Sequence, residues 1–343
     1  MAADQVLSID IVTADGMFVT ASATRNPDLF WALRGGGGST YGVVTSLVVR
    51  AYPKMPVAIM SLTYATGPQI SDDTFWQGFR AFFDGYINYT DVGNYEYFRI
   101  LNLGPGSFSF DIGPWFAPNM TENQLRTLTA PYLSRLASLG ISVSPIFQSF
   151  DNYYDAWWAG FPLEPWSQST VRTASRLFPR SNWKDEGKRN ATFNAIRSVV
   201  EEGAVIIAFN IAGRPLVGSP PDNAVLPAWR ETVMHCIMAK SWNLSATADN
   251  IQAASDTVTF DWMDRWRKVS PGAGAYMSEA DYIEPDFQHA FWGSKYERLY
   301  QVKQQLDPLG VFYAQNAVGS EDWNMSAMLY GHLPSQNSKL CRK

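Results

Sequence analysis

Hydrophobic and polar residues alternate along several short stretches of the chain, and this pattern predicts β-strands joined by tight turns. The first case lies in residues 5–24, where two alternating runs flank Ala14, Asp15 and Gly16. An Asp-Gly pair between such runs is a strong hairpin signal, because both residues tolerate the positive φ of the turn. The segment Gly104 to Gly106 predicts a second hairpin. Further strands are predicted over 57–64, 95–103, 107–116 and 204–212.

Other stretches space their apolar residues three or four positions apart, which predicts amphipathic helices. The clearest covers 121–139, where Thr121 and Gln124 form a capping-box pattern and Gly140 provides the stop. Further helices are predicted over 71–86, 190–202, 224–242, 247–268 and 294–306. Hairpins interleaved with single helices are typical of an antiparallel sheet covered by helices, so the predicted fold class is α+β.

Four successive glycines, Gly35 to Gly38, follow a short apolar turn that contains Phe30, Trp31 and Leu33. Glycine adopts positive φ without steric cost and lets other groups approach the backbone closely. A valine-rich run over 43–49 follows and predicts a strand, whereas the glycine loop of a dinucleotide-binding fold leads into a helix. The loop also lacks the Lys-Ser/Thr pair of a phosphate-binding P-loop. The glycines therefore serve either close contact with a ligand or close packing of the protein itself.

The composition excludes several functional classes. The net charge is −5 and no basic run occurs, so nucleic-acid binding through phosphate contacts is not expected. No stretch approaches about 18 consecutive apolar residues, so no membrane-spanning helix is predicted. Charged residues make up 17% of the chain and aromatic residues 14%, including 13 Trp. This composition suits a pocket that stacks flat or sugar-like substrates, although a Trp-rich core would account for it equally well.

Cysteine and histidine positions predict no metal site, because the two cysteines and three histidines lack ligand spacing. Cys236 lies in an apolar segment and is expected to be a buried free thiol. Sequons for N-glycosylation are in mild excess over chance and matter only in a secreted protein. They lie at Asn88, Asn119, Asn190, Asn243 and Asn324. The opening residues show no signal peptide, so the secretory pathway is expected only if the full-length protein has a signal upstream.

A block of motifs lies between Tyr276 and Tyr313. Its order is a tyrosine and aspartate spaced as in Y-x-N-x-x-D, then W-G, then R-L, then K-x-x-x-D-P. With the glycine loop and the strand after it, this block resembles the berberine-bridge-type FAD-linked oxidases. These enzymes have the vanillyl-alcohol oxidase fold with a PCMH-type FAD-binding domain, and the tail from Asn316 to Trp323 is similar to their fungal branch. The matching residues are Tyr276, Asp281, Trp292, Gly293, Tyr296, Arg298, Leu299, Lys303, Asp307 and Pro308.

The resemblance implies three parts. Residues 1–52 would be the carboxyl-terminal part of the FAD-binding domain, and residues 53–285 a substrate domain with an antiparallel sheet. Residues 286–343 would return to the FAD domain, so the opening and closing parts of the chain are expected to form walls of one cofactor cleft. The implied reaction passes hydride from an alcohol, sugar or natural-product substrate to FAD, and O2 then reoxidises the flavin.

The resemblance also assigns roles to particular residues. Tyr276 and Glu279 are the candidate catalytic residues, with Glu279 at the position where plant members carry a tyrosine base. The alternatives are that Glu279 is an ion-pair partner of a nearby Arg or Lys and that Tyr276 is a core tyrosine. Ser278 replaces the family's asparagine. The candidate cofactor contacts are Gly36, Gly37, Gly42, Val43, Val44, Ser278 and Asn316.

The family's flavin-attachment segment would lie upstream, and no cysteine precedes Cys236. We therefore expect that an amino-terminal flavin-domain segment is missing and that this chain alone does not hold FAD tightly. The competing hypotheses are a truncated, non-catalytic homologue and an aromatic-rich carbohydrate-binding protein. The sequence does not identify the substrate among alcohols, sugars and polycyclic natural products.

Overall fold

The structure is a computed structural model that describes residues 1–38, 40–161, 163, 170–329, 333–335 and 338–343. The strands are β1 (Val6–Val12), β2 (Phe18–Ser22), β3 (Val43–Val49), β4 (Val57–Ala65), β5 (Tyr95–Gly104), β6 (Ser107–Pro118), β7 (Ile146–Phe150), β8 (Val171–Pro179), β9 (Val205–Asn210), β10 (Thr232–Ser241), β11 (Trp323–Met325), β12 (Met328–Leu329), β13 (Leu333–Pro334) and β14 (Leu340–Arg342). The α-helices are α1 (Pro27–Leu33), α2 (Asp72–Phe83), α3 (Tyr86–Asp91), α4 (Glu122–Ser138), α5 (Tyr153–Gly160), α6 (Ser181–Lys184), α7 (Glu186–Glu201), α8 (Ala228–Glu231), α9 (Ala248–Asp256), α10 (Met263–Val269), α11 (Phe287–Trp292) and α12 (Tyr296–Leu306). A π-helical turn, Thr257–Trp262, joins α9 to α10.

Among the described residues, the larger sheet has seven antiparallel strands in the order β7-β4-β6-β5-β9-β10-β8. The predicted hairpin at Gly104 to Gly106 is confirmed, because Gly104 pairs with Ser107 where β5 turns into β6. The predicted helix after it is also confirmed: Thr121 caps α4, and its hydroxyl and the Gln124 side chain form the reciprocal capping box. The α+β prediction is therefore confirmed.

Helices α2, α4, α7 and α10 cover one face of this sheet and enclose the main core with it. The sequence of α2 places aromatic rings three or four residues apart, so they share one face. These buried rings are Phe75, Trp76, Phe79, Phe82 and Phe83. Burial of each side chain of this size stabilises the fold by about 1.5–3 kcal/mol. Much of the chain's aromatic content therefore lies in this core, as the alternative interpretation of the composition predicted.

A smaller sheet, in the order β2-β1-β3, is formed by the opening residues, and the Asp-Gly hairpin between β1 and β2 is confirmed. Ile9 and Ile11 of β1 and Trp31 of α1 pack in one buried cluster with Trp292 and Leu299 of the closing helices. The opening and closing parts of the chain thus lie against each other, as expected. The domain boundaries after residues 52 and 285 stay predictions.

The helix predicted over 224–242 is wrong. A single turn, α8, is followed by β10, a central strand whose two faces are both largely buried. A strand buried on both faces carries a continuous apolar run, which periodicity alone cannot distinguish from a buried helix. The apolar turn at Phe30 and Trp31 is instead the two-turn helix α1. The sequence patterns did not predict strands β7 and β8 or helix α5. In the described part of the chain, no helix is both long and apolar enough to span a membrane.

Candidate functional site

A groove of about 480 Å³ lies between the smaller sheet, the glycine loop and the segment that follows residue 274. It is lined mainly by apolar side chains and backbone, and Arg34 is its one charged side chain among the described residues. Five residues proposed from the sequence line it together: Gly37, Gly42, Val44, Tyr276 and Ser278. Residues 1–44 and 275–278 thus contribute opposite walls of one groove.

The glycine loop combines close packing on one side with open space on the other. A Cβ at Gly35 would lie 2.2 Å from the backbone nitrogen of Val225, and one at Gly42, where φ is +153°, would lie 2.4 Å from the carbonyl oxygen of Val12. A Cβ at Gly36 would also clash, with the carbonyl of Ala32 at 2.6 Å, and Gly36 does not line the groove. At Gly38 nothing lies within 4 Å of such an atom. Packing therefore explains Gly35, Gly36 and Gly42, whereas Gly38 leaves room for a ligand.

Lys303 of α12 fixes the end of the glycine loop. Its buried ammonium donates hydrogen bonds to the carbonyl oxygens of Thr40 and Phe312, each at 2.7 Å, and to Asp307 Oδ2 at 2.6 Å. Burial works to raise the pKa of Asp307, but Lys303 and two backbone N–H groups outweigh it and lower the pKa. The K-x-x-x-D-P motif of the sequence thus acts by holding Thr40 beside the groove.

Tyr276 stands at the other wall, in a cluster of rings. It is 39% exposed and lies edge-on to Trp229, with ring centroids 5.8 Å apart, and to His235 at 5.9 Å. Its exposure shows that it is not a core tyrosine of the kind the alternative described. Phe209 stacks on the other side of His235 with ring centroids 5.5 Å apart and an interplanar angle of 16°.

Glu279 lies next to this cluster and does not itself line the groove. One carboxylate oxygen, Oε2, lies 3.6 Å from Nδ1 of His235, and the Glu279 side chain is 40% exposed. His235 is buried, and no hydrogen-bond partner of its Nε2 occurs in the described ranges. Burial lowers the pKa of His235 to about 3, so the ring is neutral at ordinary pH. The arrangement places a carboxylate, a neutral imidazole and a phenol within one cluster that is suited to accept and orient a proton.

Two buried arginine contacts hold the segment that carries these groups. Arg172 of β8 donates a 2.6 Å hydrogen bond to Asp281, whose side chain is fully buried. Arg267 of α10 binds both carboxylate oxygens of Glu284, at 3.1 and 2.9 Å. Bidentate pairing of this kind restricts orientation as well as position. The larger sheet and its helices therefore determine where Tyr276 and Glu279 stand.

The remaining predicted contacts lie apart from the groove. Val43 is exposed on β3 and is not part of the groove lining. Asn316 has φ of +57° and donates from Nδ2 to the carbonyl oxygen of Tyr282 at 2.9 Å, so it braces the segment after Asp281. The sequon residues Asn88, Asn119, Asn243 and Asn324 are exposed, and Asn190 is half-buried on α7.

Sequence reasoning missed three residues at this site: Arg34, Trp229 and His235. Trp229 and His235 lay inside the helix wrongly predicted over 224–242, so no face could be assigned to them. Their signal was Pro227 followed within ten residues by Thr232, Val233 and Ile237, which are residue types that favour strands. In the described ranges, no group of three or more His, Cys, Asp or Glu side chains is arranged to hold a metal ion. Cys236 is buried and free, as predicted.

Comparison with known proteins places this site in a family. The sequence model described as "Berberine and berberine like" matches residues 275–319, the segment that carries Tyr276, Glu279 and Lys303. The FAD-linked oxidoreductase patO of Aspergillus clavatus is 32% identical over 345 aligned residues, which cover 100% of this chain and 57% of the relative. The chain is a relative of the berberine-bridge-type FAD-linked oxidoreductases.

Two further comparisons agree with this relationship. The FAD-linked oxidoreductase ZEB1 of Gibberella zeae is 32% identical over 332 residues, 95% of this chain and 56% of the relative. The crystal structure of the VAO-type flavoprotein MtVAO615 from Myceliophthora thermophila superposes with a TM-score of 0.85 at 28% identity, covering 100% of this chain and 60% of that one. The chain therefore has the fold of these flavoproteins and spans little more than half the length of the curated relatives it matches.

Proposed function

We propose that this chain is part of an FAD-linked oxidoreductase that oxidises a small alcohol, sugar or natural product, with O2 as the electron acceptor. The observation that carries the proposal is the groove, where residues from both ends of the chain meet at the positions expected to contact a flavin. Support comes from relatives named FAD-linked oxidoreductases and from a structural neighbour named a VAO-type flavoprotein.

The groove fits a flat, partly apolar group. Val44 and Leu47 provide an apolar wall, and the backbone at Gly37 and Gly38 is open to a ligand. Its volume of about 480 Å³ lies within the usual range of small-molecule pockets. We propose that these residues hold FAD, which when bound supplies the hydride acceptor. Arg34 would stand near any negative charge on it.

The chain's own contribution to the chemistry is proton handling and orientation. We assign Glu279 the role of accepting the substrate's hydroxyl or amine proton, with Tyr276 beside the groove orienting the substrate. One Glu279 carboxylate oxygen lies 3.6 Å from Nδ1 of His235, so the proposed proton acceptor stands beside the ring cluster.

Strand β3 exposes a continuous row of apolar side chains. Val43, Val44, Leu47, Val48 and Val49 are each 50–56% exposed. Contiguous apolar surface of this kind marks a contact with another component. We propose that it is covered by an amino-terminal flavin-domain segment equivalent to the part of the relatives that this chain does not match.

The test compares the chain alone with a version extended upstream by that segment. We expect FAD to separate from the chain alone during gel filtration and to stay with the extended protein, as read by flavin absorbance. In the extended protein, Gly38→Val should weaken FAD retention without unfolding the protein, because its Cβ meets no atom within 4 Å.

Gly67→Val is the matched control. A Cβ at Gly67 would also meet no atom within 4 Å, and Gly67 does not line the groove. If the extended protein binds no FAD, or if both variants retain it equally, the assignment of this groove is wrong. If FAD binds but Glu279→Gln oxidises substrates as fast as the parent, the cofactor assignment survives and the proton assignment fails.

A further inference from the structure

Glu96 of β5 is a carboxyl group enclosed in the main core. Its side chain is 0% exposed, and neither Oε1 nor Oε2 has a hydrogen-bond or ion-pair partner in the part of the chain that the structure describes. Glu284, the other glutamate that is buried among these residues, is bound by Arg267. An ionised carboxylate is costly to bury unless a cation or several N–H groups compensate its charge. Glu96 has no such compensation.

The larger sheet places two more unpaired polar groups beside Glu96. In the strand register, Glu96 is opposite Trp115 of β6 on one side and opposite Asn210 of β9 on the other. Side chains of directly opposite residues point to the same face, with Cβ atoms about 4.5–5.5 Å apart. Phe98 and Ala208, two positions further along β5 and back along β9, belong to the main core, so this is the helix-covered face. Trp115 Nε1 and Asn210 Oδ1 are both buried and, within the described ranges, have no hydrogen-bond partner.

The hydrogen-bonding chemistry of these three groups matches only if Glu96 carries a proton. Trp115 Nε1 can only donate, and Asn210 Oδ1 can only accept. The orientation of the Asn210 amide is fixed, because its Nδ2 donates to the carbonyl oxygen of Val233 at 2.5 Å. A protonated carboxyl group has an acceptor oxygen and an O–H donor, so it can serve both neighbours, directly or through one water. A carboxylate has no donor and would leave Asn210 Oδ1 facing a negative charge.

The titratable groups around Glu96 are themselves uncharged. Helix α3 covers this part of the sheet, and its Tyr86 and Tyr89 lie close enough to Glu96 to interact with it electrostatically. Tyr132 of α4 and Cys236 of β10 lie near Tyr86 in the same way. Burial raises the pKa of all four groups, so they are neutral at pH 7. Burial also raises the pKa of Glu96 well above its ordinary value of 4.5, and only its own backbone N–H works in the opposite direction.

We propose that Glu96 is an internal proton site, folded into the core as a neutral carboxylic acid between Trp115 and Asn210, so that the folded chain loses stability as the pH rises. The sign follows from proton counting. Above about pH 4.5 the unfolded chain releases this proton while the folded chain keeps it, so the free energy of unfolding decreases with increasing pH. The proposal does not rest on the oxidoreductase function, because neither the flavin nor the groove takes part in it.

The first experiment compares urea unfolding of the 343-residue chain with that of Glu96→Gln at pH 5.5 and 7.0. The glutamine keeps an acceptor oxygen and an N–H donor in place but cannot ionise. We expect the unfolding constant of the parent, relative to that of Glu96→Gln, to rise about tenfold per pH unit until the folded chain itself releases the proton. Other titrating groups, such as His235, cancel in this ratio. Glu186→Gln, at an exposed glutamate of α7, is the matched control and should follow the parent.

A second experiment observes the proton directly by infrared spectroscopy, because neutral and ionised carboxyl groups absorb at different frequencies. The chain is prepared with glutamate labelled with carbon-13 at its side-chain carboxyl, which separates glutamates from aspartates. We expect one neutral glutamate in the folded parent at pH 7.0 and none in Glu96→Gln. If Glu96→Gln does not fold, the band of the parent alone decides the question, since Glu284, the other buried glutamate of the described residues, is paired with Arg267.

Three results would overturn the proposal. They are the absence of a neutral glutamate band at pH 7.0, its persistence in folded Glu96→Gln, and an equal pH dependence of unfolding in the parent and in Glu96→Gln. Each would mean that Glu96 is ionised in the folded chain and that its charge is compensated there. None of these results bears on whether the groove holds FAD, so this proposal and the proposed function fail separately.

Discussion

At the scale of single residues, His235 is the most unusual group of the site. It is a buried neutral histidine between Phe209 and Tyr276, and its Nδ1 lies 3.6 Å from the Glu279 carboxylate. Its pKa of about 3 lies far below the ordinary value of 6.5, because burial penalises the charged ring. Between these two values, the unfolded chain binds a proton that the folded chain does not, so the free energy of unfolding decreases as pH falls below about 6.5.

His235→Phe should remove this dependence while keeping the ring stack. Between pH 6.5 and 5.0 the parent should lose about 1.6 kcal/mol through His235, because the slope starts at half of its limiting value of about 1.4 kcal/mol per pH unit, and the variant should not. Urea unfolding at the two pH values measures the difference. His289→Phe, at an exposed histidine, is the control and should lose as much as the parent. Equal slopes in the parent and in His235→Phe would show that the buried ring takes up its proton normally.

The sequence could point to Tyr276 and Glu279 but not to their neighbour His235. The first two lie in a contiguous motif, so their proximity follows from spacing alone. His235 lies more than forty residues earlier in the chain, and the contact exists because β10 passes beside the segment after Gly274. No local pattern encodes that crossing.

At the scale of elements, helix α12 and the glycine loop act as one unit through Lys303. Lys303→Met should lower the free energy of unfolding by about 3–5 kcal/mol, because Asp307 would be left as a buried carboxylate without its cation. Gln305→Met, an exposed position on the same helix, should change it little. Chemical denaturation of both variants measures the difference. A small loss in Lys303→Met would mean that water replaces the ammonium at no cost.

Elements with their own local signals were predictable, and those defined by partners were not. The Asp-Gly hairpin and the capped helix α4 each carry their turn or cap residues within a few positions. Strand β10 has no such signal, since its central place between β8 and β9 makes both of its faces apolar. The glycine loop shows both cases: the sequence predicted close approach, but only the fold shows that Val225 and Val12 are the approaching groups.

At the scale of the whole molecule, the apolar surface of β3 is the main unpartnered feature. Val48→Lys should lower self-association of the chain alone, because a charge interrupts the exposed apolar run. Sedimentation velocity over a range of concentrations measures this, and Thr45→Lys on the same strand controls for added charge. In the extended protein, Val48→Lys should instead weaken the packing of the added amino-terminal segment against β3. Equal behaviour of the two lysine variants would argue against a contact surface here.

Strand β3 is also an edge: within the described residues it pairs with β1, and nothing pairs with its other side. Its outer backbone N–H and C=O groups can therefore recruit any extended segment of suitable sequence, including β3 of a second molecule. Such main-chain zippering is insensitive to salt and grows by adding one strand after another. A chain in which β3 is left uncovered is thus expected to nucleate fibrils from the seven residues Val43–Val49.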